Sequence, residues 1–383
     1  MQEQLTSELK KDFISRGFSR RNFGRITSML AAGATLPFYN EAAMAQLSML
    51  NGTMPPDAVK INANENPLGP CPEAAEAIYS VVKKGGRYMY EETFGFAKTL
   101  ADVEGVKPSY VQPYAGSSDP LHRAVLAFSS PTKPYVMGDP GYEAGQRAAE
   151  FVGAPVIRVP LRKDFSHDVQ AMVAASKDTG VIYICNPNNP TGTLTSRADI
   201  EYILAHKPAG AILVLDEAYI HLSKNAVPGS DLVAADKDVV ILRTFSKLYG
   251  MAGLRAGAAI ARPDLLKKMS NFGAGALPVT GMVGAATSLK VKTLVPERRK
   301  YIGDIREDVL AFLSKHNFTF VPSESNKFMV DVKRPGNDIV KAMMQEKVYI
   351  GRVWPVWPTY VRVSVGSKDD MAKFKTAFLK VMA

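Results

Sequence analysis

A chain of 383 residues, 46% of them hydrophobic and 22% charged, is long enough to bury a sizeable core in one large or two modest domains. Its formal net charge of +10 comes from lysines and arginines scattered along the sequence. With no basic run interleaved with aromatics, nucleic acid is excluded as the expected partner and a small anionic ligand is favoured. Cys71 and Cys185 are the only cysteines and lack CxxC spacing. That pattern argues against a disulfide framework or a zinc site and leaves both as packing residues; no metal is expected.

The first 45 residues read as a segment apart. "SRRNFGR" at 19–25 is followed by a modestly apolar run at 26–38 and by "AMA" at 43–45. This is the order of a charged region, an apolar region and a small-residue cleavage site. Arg20 and Arg21, with Phe23 behind them, resemble a twin-arginine export signal, although Gly24 stands where a large apolar residue is usual. The expectation is an exported, periplasmic protein whose mature chain begins at Gln46. The competing reading is a cytoplasmic protein whose N-terminal arm clasps a second subunit. The segment carries six Lys/Arg and four Asp/Glu, so its removal would leave a net charge of +8. No later run reaches the roughly 18–20 apolar residues of a membrane helix, so the mature chain is expected to stand free of the membrane.

From about residue 70 to 260, helix-like stretches alternate with short apolar runs that end in turn residues: "PYVMGDPGY", "GAPVIRVP", "GVIYICNPNNPTG", "AILVLDEAYI" and "VVILRTFSK". This βα rhythm predicts an α/β fold with an open, mostly parallel sheet between helices, and ligands in such sheets gather beyond the carboxyl ends of the strands. Beyond Pro296 the pattern changes to a long charged helix, "PERRKYIGDIREDVLAFLSKH", short strands "FMVDV" and "YVRVSVG", and a closing amphipathic helix. We therefore expect a large domain at 75–285 and a smaller α+β domain built from 46–74 and 286–383.

The strand-end residues narrow the ligand. Asp216 closes a very apolar run in "VLDEAY", where desolvation opposes an ionised carboxylate unless a cation stabilises it; a protonated ring nitrogen would serve. Asn189 sits in the turn "NPNNPTG", where its amide can point at a ligand oxygen, although such a turn taken alone is more often structural. Gly116, Ser117 and Ser118 precede a helix, whose free N–H groups suit a phosphate, although serine before a helix is commonly just a cap. Tyr142 in "DPGYEAG" is either a core aromatic or a flat stacking plate. "RTFSKLYGMAGLR" at 243–255 places Lys247 beside Thr244 and Ser246, with Arg255 eight residues on.

As an ordered group, "NANENPLGP", "RYMY", "NPNNPTG", "DEAY", "TFSK", "AGLR" and "VRVSVG" resemble the pyridoxal-phosphate enzymes of the aspartate-aminotransferase fold (fold type I), specifically the histidinol-phosphate aminotransferases. The likeness runs over about residues 60–383. It implies that Lys247 bonds the cofactor aldehyde and then shuttles the substrate proton, and that Asp216 keeps the pyridine nitrogen protonated. Asn189 and Tyr219 would bond the ring's phenolic oxygen, and Tyr142 would stack on the ring. Ser117, Ser118, Thr244, Ser246 and Arg255 would hold the phosphate. Tyr88 would reach the phosphate of a neighbouring subunit, which implies a homodimer. Arg362 would grip the substrate α-carboxylate in two-pronged fashion, with Asn66, Asn326 and Arg352 as further substrate-side residues.

The substrate side chain is less determined. Histidinol-phosphate aminotransferases carry a tyrosine-containing stretch ahead of the "NENP" motif, whereas this chain reads "LSMLNGTMPPDAVK" there. Arg352 suits a distal phosphate or carboxylate, but Trp354 and Trp357 favour an aromatic or bulky apolar side chain. After "PSESN" the family pattern has an aromatic, and here Lys327 takes its place. The reading is amino-group transfer between an amino acid, or an amino-alcohol phosphate, and a 2-oxo acid. Histidinol-phosphate aminotransferase proper is the alternative, with a lyase or decarboxylase of the same fold behind it. A non-catalytic binding protein would be expected to have lost Lys247 or Asp216.

Overall fold

A computed structural model describes residues 10–19, 24, 54–272 and 277–383. The chain passes through strand β1 (Val59–Ile61), helices α1 (Pro72–Val82) and α2 (Tyr90–Glu104) and strand β2 (Val111–Tyr114). Alternation then begins: α3 (Ser118–Phe128), β3 (Tyr135–Asp139), α4 (Ala144–Val152), β4 (Val156–Pro160), α5 (Val169–Ala174) and β5 (Val181–Cys185). It continues through α6 (Arg197–His206), β6 (Ile212–Asp216), α7 (Ser230–Ala234), β7 (Val239–Thr244) and β8 (Gly257–Ala261).

These strands form one seven-stranded sheet in the order β2-β8-β7-β6-β5-β3-β4. β4, β3, β5, β6 and β7 are parallel, as the rhythm predicts, while β8 runs antiparallel to both β7 and β2. The central strands VIYIC, ILVLD and VVILRT are buried along their whole length, which is why they read as continuous apolar runs rather than alternating ones. Each fully buried Leu or Ile in them contributes about 1.5–3 kcal/mol of transfer free energy.

Two strands of this sheet escape the sequence pattern. β2 reads VQPY and β8 reads GAAIA, the one carrying a proline and the other too poor in branched residues to register as a strand. A correction also applies to "GAPVIRVP". It forms β4 at the edge of the sheet, and its end does not reach the cavity described below.

Helices α8 (Pro263–Ser270) and α9 (Val279–Lys290) lead to the long helix α10 (Leu294–Lys315). The smaller unit follows with β9 (Thr319–Val321), β10 (Lys327–Asp331), α11 (Gly336–Gln345), β11 (Val348–Ile350), β12 (Tyr360–Ser364) and α12 (Lys368–Met382). β12-β10-β9 is an antiparallel sheet, and β1 pairs in parallel with β11, which ties residues near 60 to the C-terminal unit. The last helix starts at a capping box, in which the Ser367 hydroxyl receives the Asp370 N–H while the Asp370 carboxylate receives the Ser367 N–H.

Arg20, Arg21 and Phe23, the run at 26–38 and residues 43–45 lie outside the described residues. Residues 10–15 form a short helix, and the rings of Phe13 and Phe18 are buried 4.7 Å apart. Phe13 also meets Phe272 at 6.0 Å. Arg16 lies behind them and donates from Nη2 to the carbonyls of Leu126 and Ser129, both at 2.9 Å, at the C-terminal end of α3.

Candidate active site

A cavity of about 240 Å³ opens where the carboxyl ends of β5, β6 and β7 meet the N-terminus of α3. Its two ends differ in charge. At one end Ser117 is the N-cap of α3, and its side chain makes no capping bond, so hydroxyl and helix N–H groups converge on the space. Thr244 Oγ1 donates to Ser246 Oγ at 2.9 Å. Arg255 Nη1 reaches Ser246 Oγ at 3.4 Å while its Nη2 is anchored on the Ala115 carbonyl at 2.7 Å. Burial lowers the Arg255 pKa, a sign of a cation held away from water. Gly116, at φ +93°, leaves room for this guanidinium: a Cβ there would overlap it. Hydroxyls, free amides and one guanidinium form a cradle whose chemistry fits a phosphate.

At the other end lies Asp216, the last residue of β6. Its Oδ2 receives the Tyr183 hydroxyl at 2.9 Å and its Oδ1 the Ala218 N–H at 3.1 Å. Burial dominates and pushes the carboxyl up to about 6; the Tyr183 and Ala218 hydrogen bonds, then Lys247 and Lys327, pull against it. A buried carboxyl so disposed calls for a cationic partner on the cavity side, which a protonated pyridine nitrogen supplies.

Tyr142 lines the wall and lies 3.4 Å, hydroxyl to hydroxyl, from Ser118. Lys247 is buried in the middle, with Nζ 3.4 Å from the Ala63 carbonyl and 5.7 Å from the centre of the Tyr219 ring. The Tyr219 hydroxyl accepts from Asn64 Nδ2 at 3.0 Å. Asn189 stands in a turn with cis bonds before Pro187 and Pro190, and its Oδ1 accepts from Arg362 Nη1 at 2.9 Å. Arg362 Nη2 donates to the Asn62 carbonyl at 2.6 Å. The arginine of the small sheet is thus aimed at the same amide that borders the cavity.

Five expected residues do not line the cavity of their own chain: Arg362, described above, and four more, of which Tyr88 was expected at a neighbouring subunit's cradle. Asn66 does not line the cavity: its amide is committed to the Leu248 carbonyl at 2.8 Å and to the Leu68 N–H at 3.1 Å, so it shapes a turn. Asn326 holds the Asn64 carbonyl at 3.1 Å and acts through that segment. Arg352 forms a two-pronged pair with Glu143, both contacts at 2.6 Å, and stacks 4.1 Å from the Trp354 ring centre. Tyr88 is 71% exposed and stacks on Tyr90, outside the cavity of its own chain.

Several positioning groups were not anticipated. Asn64, at φ +53°, is the amide of "NANENP" that meets Tyr219, while Asn66 is committed to the Leu248 carbonyl. Glu217, next to Asp216, points the other way and pairs with buried Arg243, which also bonds Glu104 at 2.7 Å. This pair fixes the start of the Lys247 loop from beneath. The adjacency in "DEAY" with an arginine heading "RTFSK" was the available signal. Cys185 is buried at the cavity wall, where burial pushes its thiol up, and Cys71 is buried too; neither forms a disulfide.

Residues 56–378 match the family described as "Aminotransferase class I and II", and the chain belongs to it. A histidinol-phosphate aminotransferase of Moorella thermoacetica is 30% identical over 85% of this chain and 86% of its own length. An aromatic amino acid aminotransferase of Cutibacterium acnes is 32% identical over 82% of this chain and 91% of its own. A solved structure from Erwinia carotovora atroseptica, assigned as a histidinol-phosphate aminotransferase, superposes with a TM-score of 0.82 at 29% identity, covering 86% of this chain and 98% of that one. The Sinorhizobium meliloti histidinol-phosphate aminotransferase, solved with pyridoxal 5′-phosphate, gives 0.79 at 24% identity, covering 91% and 95%. The chain is a pyridoxal-phosphate-dependent aminotransferase of fold type I, exchanging an amino group between an amino acid and a 2-oxo acid.

When bound, the cofactor supplies an aldehyde that bonds amines and a ring that withdraws electrons from the bond being broken. The protein supplies the rest. Lys247 Nζ, buried in the middle of the cavity, would be the amine that bonds the aldehyde and the base that takes and returns the substrate proton. Asp216 would keep a proton on the ring nitrogen. Arg362, held on Asn189 and on the Asn62 carbonyl, would meet a substrate carboxylate beside that amide, and Tyr142, on the cavity wall, would pack against the ring.

Proposed function

We propose that the amino donor carries an aromatic or bulky apolar side chain, and that Arg352 does not serve as a free anion receptor. The Glu143–Arg352 pair carries this reading. A guanidinium whose fork is filled by its own carboxylate, and whose face is covered by Trp354, presents little net charge to a distal phosphate. Trp354 is itself fixed by its indole N–H on the Gly141 carbonyl at 2.9 Å, beside Tyr142. Half-reaction kinetics over a donor panel test the reading. Phenylalanine, tyrosine or tryptophan is expected to exceed glutamate and histidinol phosphate in kcat/KM. Glu143→Ala is expected to narrow that gap by about tenfold, the effect of about 1.4 kcal/mol. Histidinol phosphate as the best wild-type donor would establish the reading carried by the Moorella relative instead.

We also infer a homodimer. Tyr79, Val82, Tyr88, Tyr90 and Phe94 form an exposed, largely apolar stretch on α1, α2 and the turn between them, more than a lone surface needs. A second copy placed there would cover it and bring Tyr88 towards the neighbour's phosphate cradle.

For location, we propose twin-arginine export, supported by the order of charged, apolar and small-residue stretches over residues 19–45. Residues 10–19 rest against the large domain ahead of the arginine pair, so the pair would be borne by a chain already folded around its cofactor site. Replacing Arg20 and Arg21 by lysine is expected to leave an active enzyme in the cytoplasm. Fractionation with N-terminal sequencing reads the result: a periplasmic chain beginning at Gln46 supports export, and an intact cytoplasmic Met1 chain in the native host overturns it.

A further inference from the structure

Lys327 opens β10 and is completely buried, with Nζ 3.1 Å from the centre of the Tyr219 ring. It donates to Ser325 Oγ at 2.9 Å. Burying an ammonium group is costly unless its charge is met, and a desolvated aromatic face repays only about 2 kcal/mol or more. Strand register explains its direction. Lys327 faces Ser364 on β12, and Arg362 lies two residues along on the same face of the small sheet. Ser364 in turn donates to Asn64 Oδ1 at 2.9 Å, and Asn64 donates to the Tyr219 hydroxyl. Tyr219 is therefore gripped at its ring by Lys327 and at its oxygen by Asn64, both set by neighbouring positions on one strand pair.

The same ring lies beside Lys247. Asp216, Cys185, Tyr183, Lys247, Glu65, Arg362, Tyr142 and Arg255 are the titratable or charged groups, among the described residues, that surround this corner and its cavity from β5, β6, the Lys247 loop and the stretch after it, the segment after β1, β12 and the turn before α4. Only Lys327 among the amines has no assigned part in the reaction.

We propose that Lys327 is a positioning residue, a fixed buried cation that clamps the Tyr219 ring and opposes a second positive charge on Lys247 and on its bond with the cofactor. An ammonium next to another amine disfavours protonation there, and the effect is undiluted by water at a buried site. Lys327 also stabilises the ionised form of Asp216, so it favours charge on the acid and neutrality on the base.

The test is the pH dependence of the visible absorbance of cofactor-loaded protein, which reports when the Lys247–cofactor linkage takes up its proton. Lys327→Met keeps the length and removes the charge; its midpoint is expected to rise by about one pH unit, a tenfold change in proton affinity. Lys327→Arg is expected to titrate within about 0.3 units of wild type, because the charge is retained. Cofactor affinity and circular-dichroism melting are measured alongside. A folded Lys327→Met protein with the wild-type midpoint would reduce Lys327 to a space-filling residue and overturn the proposal. Should the methionine variant not fold, Lys327→Gln keeps a donor for Ser325 without the charge. An upward shift there supports the proposal, and an unmoved midpoint overturns it. Neither outcome depends on which side chain the donor carries.

Discussion

Lys247→Ala is expected to lose at least about four orders of magnitude in transamination rate, because the substitution removes both the amine that bonds the cofactor and the base that moves the substrate proton. The cradle does not depend on this residue. Ser117 still caps α3, Arg255 still rests on the Ala115 carbonyl, and Asp216 still faces the cavity through its bonds to Tyr183 and Ala218. The variant should therefore bind pyridoxal 5′-phosphate non-covalently, with weaker retention on dialysis. Borohydride reduction followed by peptide mapping checks the assignment: wild type should carry its label at Lys247 and the variant should carry none. A variant that kept a reducible lysine adduct and full turnover would show that another amine, Lys327 first among them, is the nucleophile.

Asp216→Asn is expected to lose about three orders of magnitude in rate while still binding the cofactor. The change is nearly isosteric, and one amide oxygen can still accept from either the Ala218 N–H or the Tyr183 hydroxyl. What disappears is the charge. The carboxyl is held near 6 by burial, and a cationic ring nitrogen arriving beside it would favour the ionised form, so acid and ring stabilise one another. An asparagine has no charge to return, and the ring nitrogen loses the partner that kept its proton. Single-turnover rates measured at saturating cofactor separate this from weak binding; a rate within tenfold of wild type would sink the role assigned to Asp216.

Much of this centre was legible before any coordinates because the chemistry coincides with the ends of unmistakable strands. Lys247, Asp216 and Asn189 each follow a run of buried Val, Ile and Leu, and parallel strands deliver all their ends to one edge. What could not be read depended on direction or on distance. Asn64 and Asn66 are two residues apart in one motif, yet Asn64, with a left-handed backbone and Ser364 beside it, meets Tyr219 while Asn66 turns to the Leu248 carbonyl. Glu143 and Arg352 are separated by 209 positions, and no local pattern announces that the carboxylate of the N-cap residue of α4 fills the fork of an arginine from the smaller unit. β8 was lost because GAAIA carries three alanines and one branched residue, too little of the β-branched signal that marks the neighbouring β7.

Helix α3 is complemented at both ends. Its first turn opens onto the cradle and its last carbonyls are taken by Arg16, so a phosphate bound in the cradle would put negative charge at one pole opposite the positive charge at the other, each with the sense the helix dipole favours. The second of these ligands comes from the part of the chain that a processing step after Ala45 would discard. Such a protein would shed a piece of its own interior together with its address. The Leu126 and Ser129 carbonyls would lose their guanidinium, and Phe272 would lose the Phe13 ring that covers it. Precursor and product would then differ in surface as well as in length. The uncut chain would be the better-sealed particle, and the shortened one would carry a fresh apolar scar at the far pole of the helix that holds its cofactor.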